Sequence, residues 1–399
     1  MSVDAGVMKT QRAAEVTLPT RGGGLEHYRL GGPSPFPRTA SGPFNRVAFA
    51  AAHVVSDSLA DIDPWLSAAV DWDATIAYRR HLWGLGFSVA EAMDTAQRGM
   101  GLDWPAALEL IRRSAAAAKA DGHRQLASGA GTDQLDPVDA RSLDDVFRAY
   151  EEQFEAVEAA GSPVILMASR ALVRVARSAD DYLTVYDRLL SQAREPVIIH
   201  WLGDMFDPQL AGYWGAADIR TALETALQAI AAHADKVDGI KISLLDAQWE
   251  IEMRRRLPEG VRMYTGDDFN FADLIAGDEE GHSDALLGIF DAIAPAASAA
   301  LSQLAAGEET AFHDILGPTV PLSRMIFAAP TRFYKTGIVF LAWLNGHQDH
   351  FTMVGGQESA RSIVHLAEVF RLADRAKLFR DPELGAGRMR SLLAVHGIA

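Results

Sequence analysis

Residues 196–243 read PVIIHWLGDMFDPQLAGYWGAADIRTALETALQAIAAHADKVDGIKIS, and this stretch holds the unit on which the fold turns. Its ends, Pro196–Trp201 and Val237–Ser243, are short apolar runs with the length and composition of buried strands. Between them Asp218 stands at a helix start, and Ile219, Leu223, Leu227 and Ile230 share one face of the helix that follows. Strand, helix and strand in that order predict two parallel strands joined by a crossover, because antiparallel neighbours need only a tight turn between them.

The same unit recurs on both sides. Strand-like runs stand at Arg46–Ala51, Gly86–Ala92, Arg124–Ser128, Pro163–Ala168, Val261–Thr265 and Ala285–Phe290, which with the first two makes eight. Helix starts punctuate the intervals. Ser142 with Asp145 precedes an apolar face of Leu143, Val146, Phe147, Tyr150, Phe154 and Val157, and Ser178 with Asp181 precedes one of Tyr182, Val185 and Leu189. Eight strand–helix units over about 250 residues are the count and size of a (β/α)8 TIM barrel. An open doubly wound sheet would rarely run to eight, and no GxGxxG opens the first unit. The expected organisation is a Pro/Gly-rich N-terminal arm over 1–44, the barrel over 45–295 and a C-terminal helical subdomain over 296–399. Helices of that subdomain are expected at Pro295–Ala306, Phe312–Phe327, Lys335–Leu344 and Glu358–Ala376.

Composition removes whole classes of function. The 399 residues include no cysteine, which excludes disulfides, thiolate nucleophiles, Cys-ligated zinc and iron–sulfur clusters. With 37 basic against 53 acidic side chains the formal charge is −16, which argues against a nucleic-acid or anionic-membrane surface while leaving room for a local basic pocket. No signal-peptide core stands in Met1–Gly24, and no apolar run approaches the ~18 residues of a membrane span. A cytoplasmic protein with no membrane partner is expected.

Barrel enzymes draw their reacting groups from the C-terminal ends of the strands. Strand alternation in Val237–Ser243 sends Ile240 and Ile242 to one face and Gly239, Lys241 and Ser243 to the other, so the apolar pair goes against the helices and Lys241 into the barrel. A buried ammonium must be paired or deprotonated, and a deprotonated lysine can form a Schiff base with a carbonyl. The alternative is a structural lysine paired with Asp267 or Asp238. His200 shares a face with Ile198, which suits it either to general acid–base work or to a hydrogen-bonded place in the core. Trp201 alternates outward as packing. His53 carries the same ambiguity as His200, and a metal site would join His53, His200 and Asp267 on zinc or manganese, although no HxH or HExxH spacing supports one. Gly129-Ala130-Gly131 is a weak phosphate-loop signal, and Pro330–Lys335 reads as a helix entry with solvated basic side chains.

Taken together, these strand ends resemble the dihydrodipicolinate synthase and N-acetylneuraminate lyase superfamily, whose members are class I Schiff-base barrels. Gly239-Ile240-Lys241 is similar to that family's sixth-strand motif, in which the lysine forms the imine. Pro196–His200 is similar to its fifth strand, Ser128-Gly129-Ala130-Gly131-Thr132 to its third-strand glycine motif, and Thr265-Gly266-Asp267-Asp268 to its seventh-strand S-G-D-D. The departures are as informative. His200 stands where the family has its catalytic tyrosine, the stretch Ser169-Arg170-Ala171 replaces a second tyrosine, and Asp94-Thr95-Ala96-Gln97-Arg98 keeps one threonine of the carboxylate-binding loop.

The resemblance implies a divergent lyase, aldolase or dehydratase, not dihydrodipicolinate synthase itself, in which Lys241 forms an imine with a 2-oxo acid or keto sugar. His200 would move protons and Thr95 would orient the substrate, with His53, Arg170, Gly266 and Asp267 as binding residues. No cofactor and no resident metal are expected, and the resemblance favours a homo-oligomer. Two alternatives stay open: the metal-dependent barrel, and a noncatalytic barrel that binds a small molecule.

Overall fold

The computed structural model describes residues 14–122 and 126–398. Positions 1–13 of the expected arm, and Arg124 at the start of the third expected strand, lie outside them. Two strands, β1 (Glu15–Pro19) and β2 (Leu25–Arg29), pair antiparallel as a hairpin. Eight more follow: β3 (Ala48–Ala51), β4 (Ser88–Glu91), β5 (Leu126–Ala130), β6 (Val164–Leu166), β7 (Val197–Leu202), β8 (Val237–Ser243), β9 (Arg262–Thr265) and β10 (Asp284–Leu287). They run parallel in chain order, and β10 closes on β3, giving a (β/α)8 TIM barrel.

The helices begin where the sequence punctuates them. Asp218 accepts from the Thr221 amide at 2.8 Å and Ser142 from the Asp145 amide at 3.2 Å, each satisfying an N–H with no partner inside its helix. Ser178 makes no such bond; Asp181 instead reaches back to the Arg177 amide at 2.7 Å.

Two apolar clusters organise the interior. A small one fills the barrel with Phe49, Met93, Ile165, Ile198, Tyr264 and Leu286. A large one lies between the strands and the helices and takes Ile199, Trp201, Ile240 and Ile242, the alternate residues of β7 and β8. Gly239 reconciles the two layers. A Cβ there would stand 2.7 Å from the Tyr264 ring, so only glycine lets that ring fill the lumen beneath Lys241.

Beyond the barrel come helices at Ala294–Ala305, Glu309–Leu316, Val320–Ile326, Tyr334–Leu344 and Ile363–Arg375, and a further one, Pro382–Val395, that the periodicity did not signal. Every residue of Tyr334–Leu344 is buried, in keeping with a sequence apolar all round. The Pro/Gly-rich arm contains ordered structure: Val16 and Leu18 of the hairpin are buried, Tyr28 donates to Asp374 at 2.7 Å, and Arg371 reaches the Pro19 carbonyl at 3.0 Å. Among the described residues no helix is long and apolar enough to cross a membrane.

Candidate active site

Strand β8 delivers Lys241 to the lumen with only 7% of its surface exposed, beside His200 of β7 and Tyr264 of β9. Burial pushes its ammonium below the ordinary lysine range, while the negative charges of Asp268 and Asp94 oppose that shift. Asp268 is itself pushed up to about 7 by burial; its Oδ1 accepts the Ile289 amide at 2.9 Å, and that bond and the Lys241 charge hold it from rising further. Gly266 is what lets the lysine stem pass: a Cβ there would lie 2.8 Å from Lys241 Cε and would strike Ser243 Oγ.

His200 is fully buried, with Nε2 3.3 Å from Ser243 Oγ and Nδ1 4.0 Å from Asp94 Oδ2. Desolvation, and secondarily the charge of Lys241, lower its pKa well below the ordinary value, so the ring is neutral near pH 7. On the other side of the amine, Thr95 Oγ1 and Tyr334 Oη stand 2.8 Å apart. The Tyr334 ring stacks on Phe327 at 4.3 Å between centroids, and burial raises its phenol well above the ordinary range, so it keeps its proton. Asp94, Thr95, Ser243, Asp268 and Tyr334 thus line a narrow pocket over the Lys241 amine. Asp94, Leu202 and Phe206 also wall an adjoining cavity of about 440 Å³.

Several residues stand elsewhere than expected. Asp267 is not the partner of Lys241: its carboxylate accepts the Phe269 and Asn270 amides at 2.8 and 3.1 Å and the Asn270 side chain at 2.7 Å, fixing the turn before the helix Phe271–Ala276. Nor is Asp238, which pairs with Arg262 and Tyr264. His53 lies past the end of β3, where strand alternation no longer governs its direction. Its Nδ1 is 2.8 Å from Asp291 and its ring packs on Tyr78 at 4.4 Å, away from the pocket over Lys241. His53, His200 and Asp267 are therefore not brought together, and among the described residues no group of three His, Asp or Glu could hold a metal.

Arg170 does wall the larger cavity, but Asp207 holds it at 2.5 Å. In the Gly129–Gly131 segment the Gly131 amide, which a phosphate loop would offer to its anion, donates instead to Gln153 at 2.6 Å, and the Gly129 carbonyl accepts from Arg98 at 2.9 Å. Lys335, expected in solvent, is 5% exposed and walls the larger cavity. Sequence reasoning set Asp94 and Asp268 in the strand-end motifs without choosing them as site residues, and it missed Tyr334 and Lys335 as candidates. The available signal was the apolar run after Tyr334-Lys335, which cannot be buried all round without taking its first turn in with it.

Comparison with known proteins gives the family and the fold. No curated protein matches the chain. Among solved structures it is similar to dihydrodipicolinate synthase from Oceanobacillus iheyensis, at 15% identity over 77% of this chain and 89% of that one, with a TM-score of 0.59. It is also similar to YagE of E. coli K12, a prophage protein of the dihydrodipicolinic acid synthase family in complex with pyruvate, at 12% identity over 84% and 99% of the two chains and a TM-score of 0.63. The 4-hydroxy-tetrahydrodipicolinate synthase from Methylacidiphilum fumariolicum SolV gives 12% identity, 86% and 99% coverage and a TM-score of 0.61. At these identities the likeness is one of fold. Residues 16–398 match the family described as protein of unknown function, DUF993, and the chain belongs to that family.

Proposed function

We propose that the chain is a Schiff-base lyase, of the aldolase or dehydratase kind, acting on a 2-oxo acid or a keto sugar. The observation that carries this is the buried Lys241 amine at the C-terminal end of a barrel strand, with its pKa lowered by burial and a pocket of proton-bearing groups above it. The neutral amine adds to the ketone carbon, the carbonyl oxygen takes up two protons and leaves as water, and a protonated imine remains. That imine draws in the electron pair of a neighbouring C–C bond, whose other carbon leaves as a carbonyl compound, or of a C–H bond, after which the enamine expels a nearby hydroxyl as water. Reprotonation where an enamine remains, then hydrolysis, returns the amine. Tyr334, through Thr95, gives protons to the departing oxygen; neutral His200 takes the proton released beside the imine. Dihydrodipicolinate synthesis itself is not proposed, because the fifth-strand tyrosine is His200 here.

The test is reductive trapping. The full chain is mixed with short 2-oxo acids, pyruvate first, and with keto sugars in the presence of borohydride, and the Lys241 peptide is weighed. The expected result is the mass of the reduced adduct on Lys241, absent from Lys241→Ala. If no ketone of either class adds mass at Lys241, imine chemistry is refuted and a binding barrel takes its place.

A further inference from the structure

Tyr334 and Lys335 open the same helix and point into adjoining spaces, the first over the Lys241 amine and the second into the wider cavity of about 440 Å³. Every other cation in the inner walls of that cavity has an acid: Arg170 is held by Asp207 and Arg98 by Asp133. Lys335 has none. Its Nζ meets only the Arg332 carbonyl at 3.2 Å, Met100 Sδ at 3.4 Å and the face of the Tyr334 ring at 4.7 Å, and no carboxylate of the described residues lies within ion-pair distance. Arg332, exposed at the rim, lies over Phe333 at 4.8 Å and likewise pairs with no described carboxylate. A buried ammonium held in no ion pair is costly, and the more distant charges of Asp94 and Asp207 offset only part of that cost. In a chain with sixteen more acids than bases, given 53 against 37, two cations with no ion-pair partner at the mouth of a reactive pocket need a reason.

We propose that Lys335, assisted by Arg332, binds an anionic tail, carboxylate or phosphate, at the far end of the substrate whose carbonyl meets Lys241, a proposal that rests on the Schiff-base reading above. Asp94, Leu202 and Phe206 wall both spaces, so the tail site and the carbonyl site are two ends of one binding path. The ligand that spans them is a short keto acid or keto sugar ending in an acid group. Burial lowers Lys335 to about 8, and a bound anion would restore its full charge.

The test compares two ketones of equal carbon length, 2-oxoglutarate and 2-oxopentanoate, whose tails end in a carboxylate and a methyl group. In the full chain 2-oxoglutarate should be trapped on Lys241 by borohydride about tenfold faster or more, the size of one or two charged hydrogen bonds. That ratio should fall to near one in Lys335→Met and severalfold in Arg332→Gln, a rim substitution that leaves the fold intact; a ratio unchanged in both variants overturns the proposal. Calorimetry with glutarate and with inorganic phosphate, neither of which has a ketone, reads the tail site alone and says which acid it prefers. Binding of either that is lost in Lys335→Met, with no ketone trapped, upholds the tail site and sinks the imine. Trapping on Lys241 with no Lys335-dependent binding of either anion does the reverse.

Discussion

Replacing Tyr334 by Phe removes one oxygen atom from the pocket over Lys241 and leaves the ring stacked on Phe327. What is lost is a buried bond to Thr95 Oγ1 at 2.8 Å. As a purely structural contact its removal costs about 1 kcal/mol, rising to ~3 if the Thr95 hydroxyl is left unsatisfied. A relay has a different size. Delivering protons to the departing oxygen is worth about 10²- to 10⁴-fold in rate, and the variant should slow imine formation by that factor. Quenching a single-turnover mixture of enzyme and ketone with borohydride at increasing times reads that rate directly; urea denaturation reads stability on the same preparation. The expected pair of results is a stability loss of about 1–3 kcal/mol with a rate loss of about a hundredfold or more. Trapping within threefold of the parent chain in both Tyr334→Phe and Thr95→Val would refute the relay and move proton delivery to His200 or solvent.

Three further outcomes follow from the same geometry. Asp268 holds the Lys241 ammonium up, so Asp268→Asn should move the pH of half-maximal trapping downward by about one to three units; a shift upward, or none, contradicts the assignment. Burial, then the charge of Arg380, lowers His81 to about 4 from 6.5, so the folded chain favours the neutral ring; its contribution is full above pH 6.5 and is lost as pH falls toward 4, about 3 kcal/mol in all. Urea midpoints at pH 7 and pH 4.5 should therefore lie closer together in His81→Gln than in the parent chain, and an unchanged gap refutes this. Arg79 and Glu91 form a fully buried two-pronged pair at 2.8 and 2.7 Å, and Arg79→Met, which strands the Glu91 charge, should destabilise by about 3–5 kcal/mol in the same assay.

The barrel was legible because its signals are local. Each strand is a short apolar run, each helix a spacing of three and four, and both can be read within a dozen residues. Lys241 was legible for the same reason, since the parity of one strand fixes its face. Parity fails where strands end. His53 follows β3 by two residues, and the backbone turns its ring to Asp291. Between Asp267 and Asp268 a single peptide unit decides which carboxylate caps the turn and which approaches the amine, and nothing in a Thr-Gly-Asp-Asp string states that choice. Tyr334 reaches the pocket over Lys241, and Lys335 the cavity beside it, only through tertiary packing of a helix from beyond the barrel. Their basic and aromatic letters read as a solvated helix entry until the burial of the whole helix is seen.

A formal charge of −16 and the anionic substrate proposed above together make a specific demand on association. At long range the chain repels an acid, and at the mouth Lys335 and Arg332 attract it. Salt acts unequally on the two. The Debye length falls from about 30 Å at 0.01 M to about 8 Å at 0.15 M, which screens the diffuse field while leaving a nearly buried contact such as that of Lys335 little affected. Raising the salt over that range should therefore speed association of a keto dicarboxylate, the opposite of an enzyme that steers its substrate in. Stopped-flow tryptophan fluorescence on 2-oxoglutarate against 2-oxopentanoate measures it, and the dicarboxylate should gain more from added salt. A slowing of 2-oxoglutarate with salt would mean that the basic rim outweighs the rest of the surface, and the net charge would then say nothing about substrate approach.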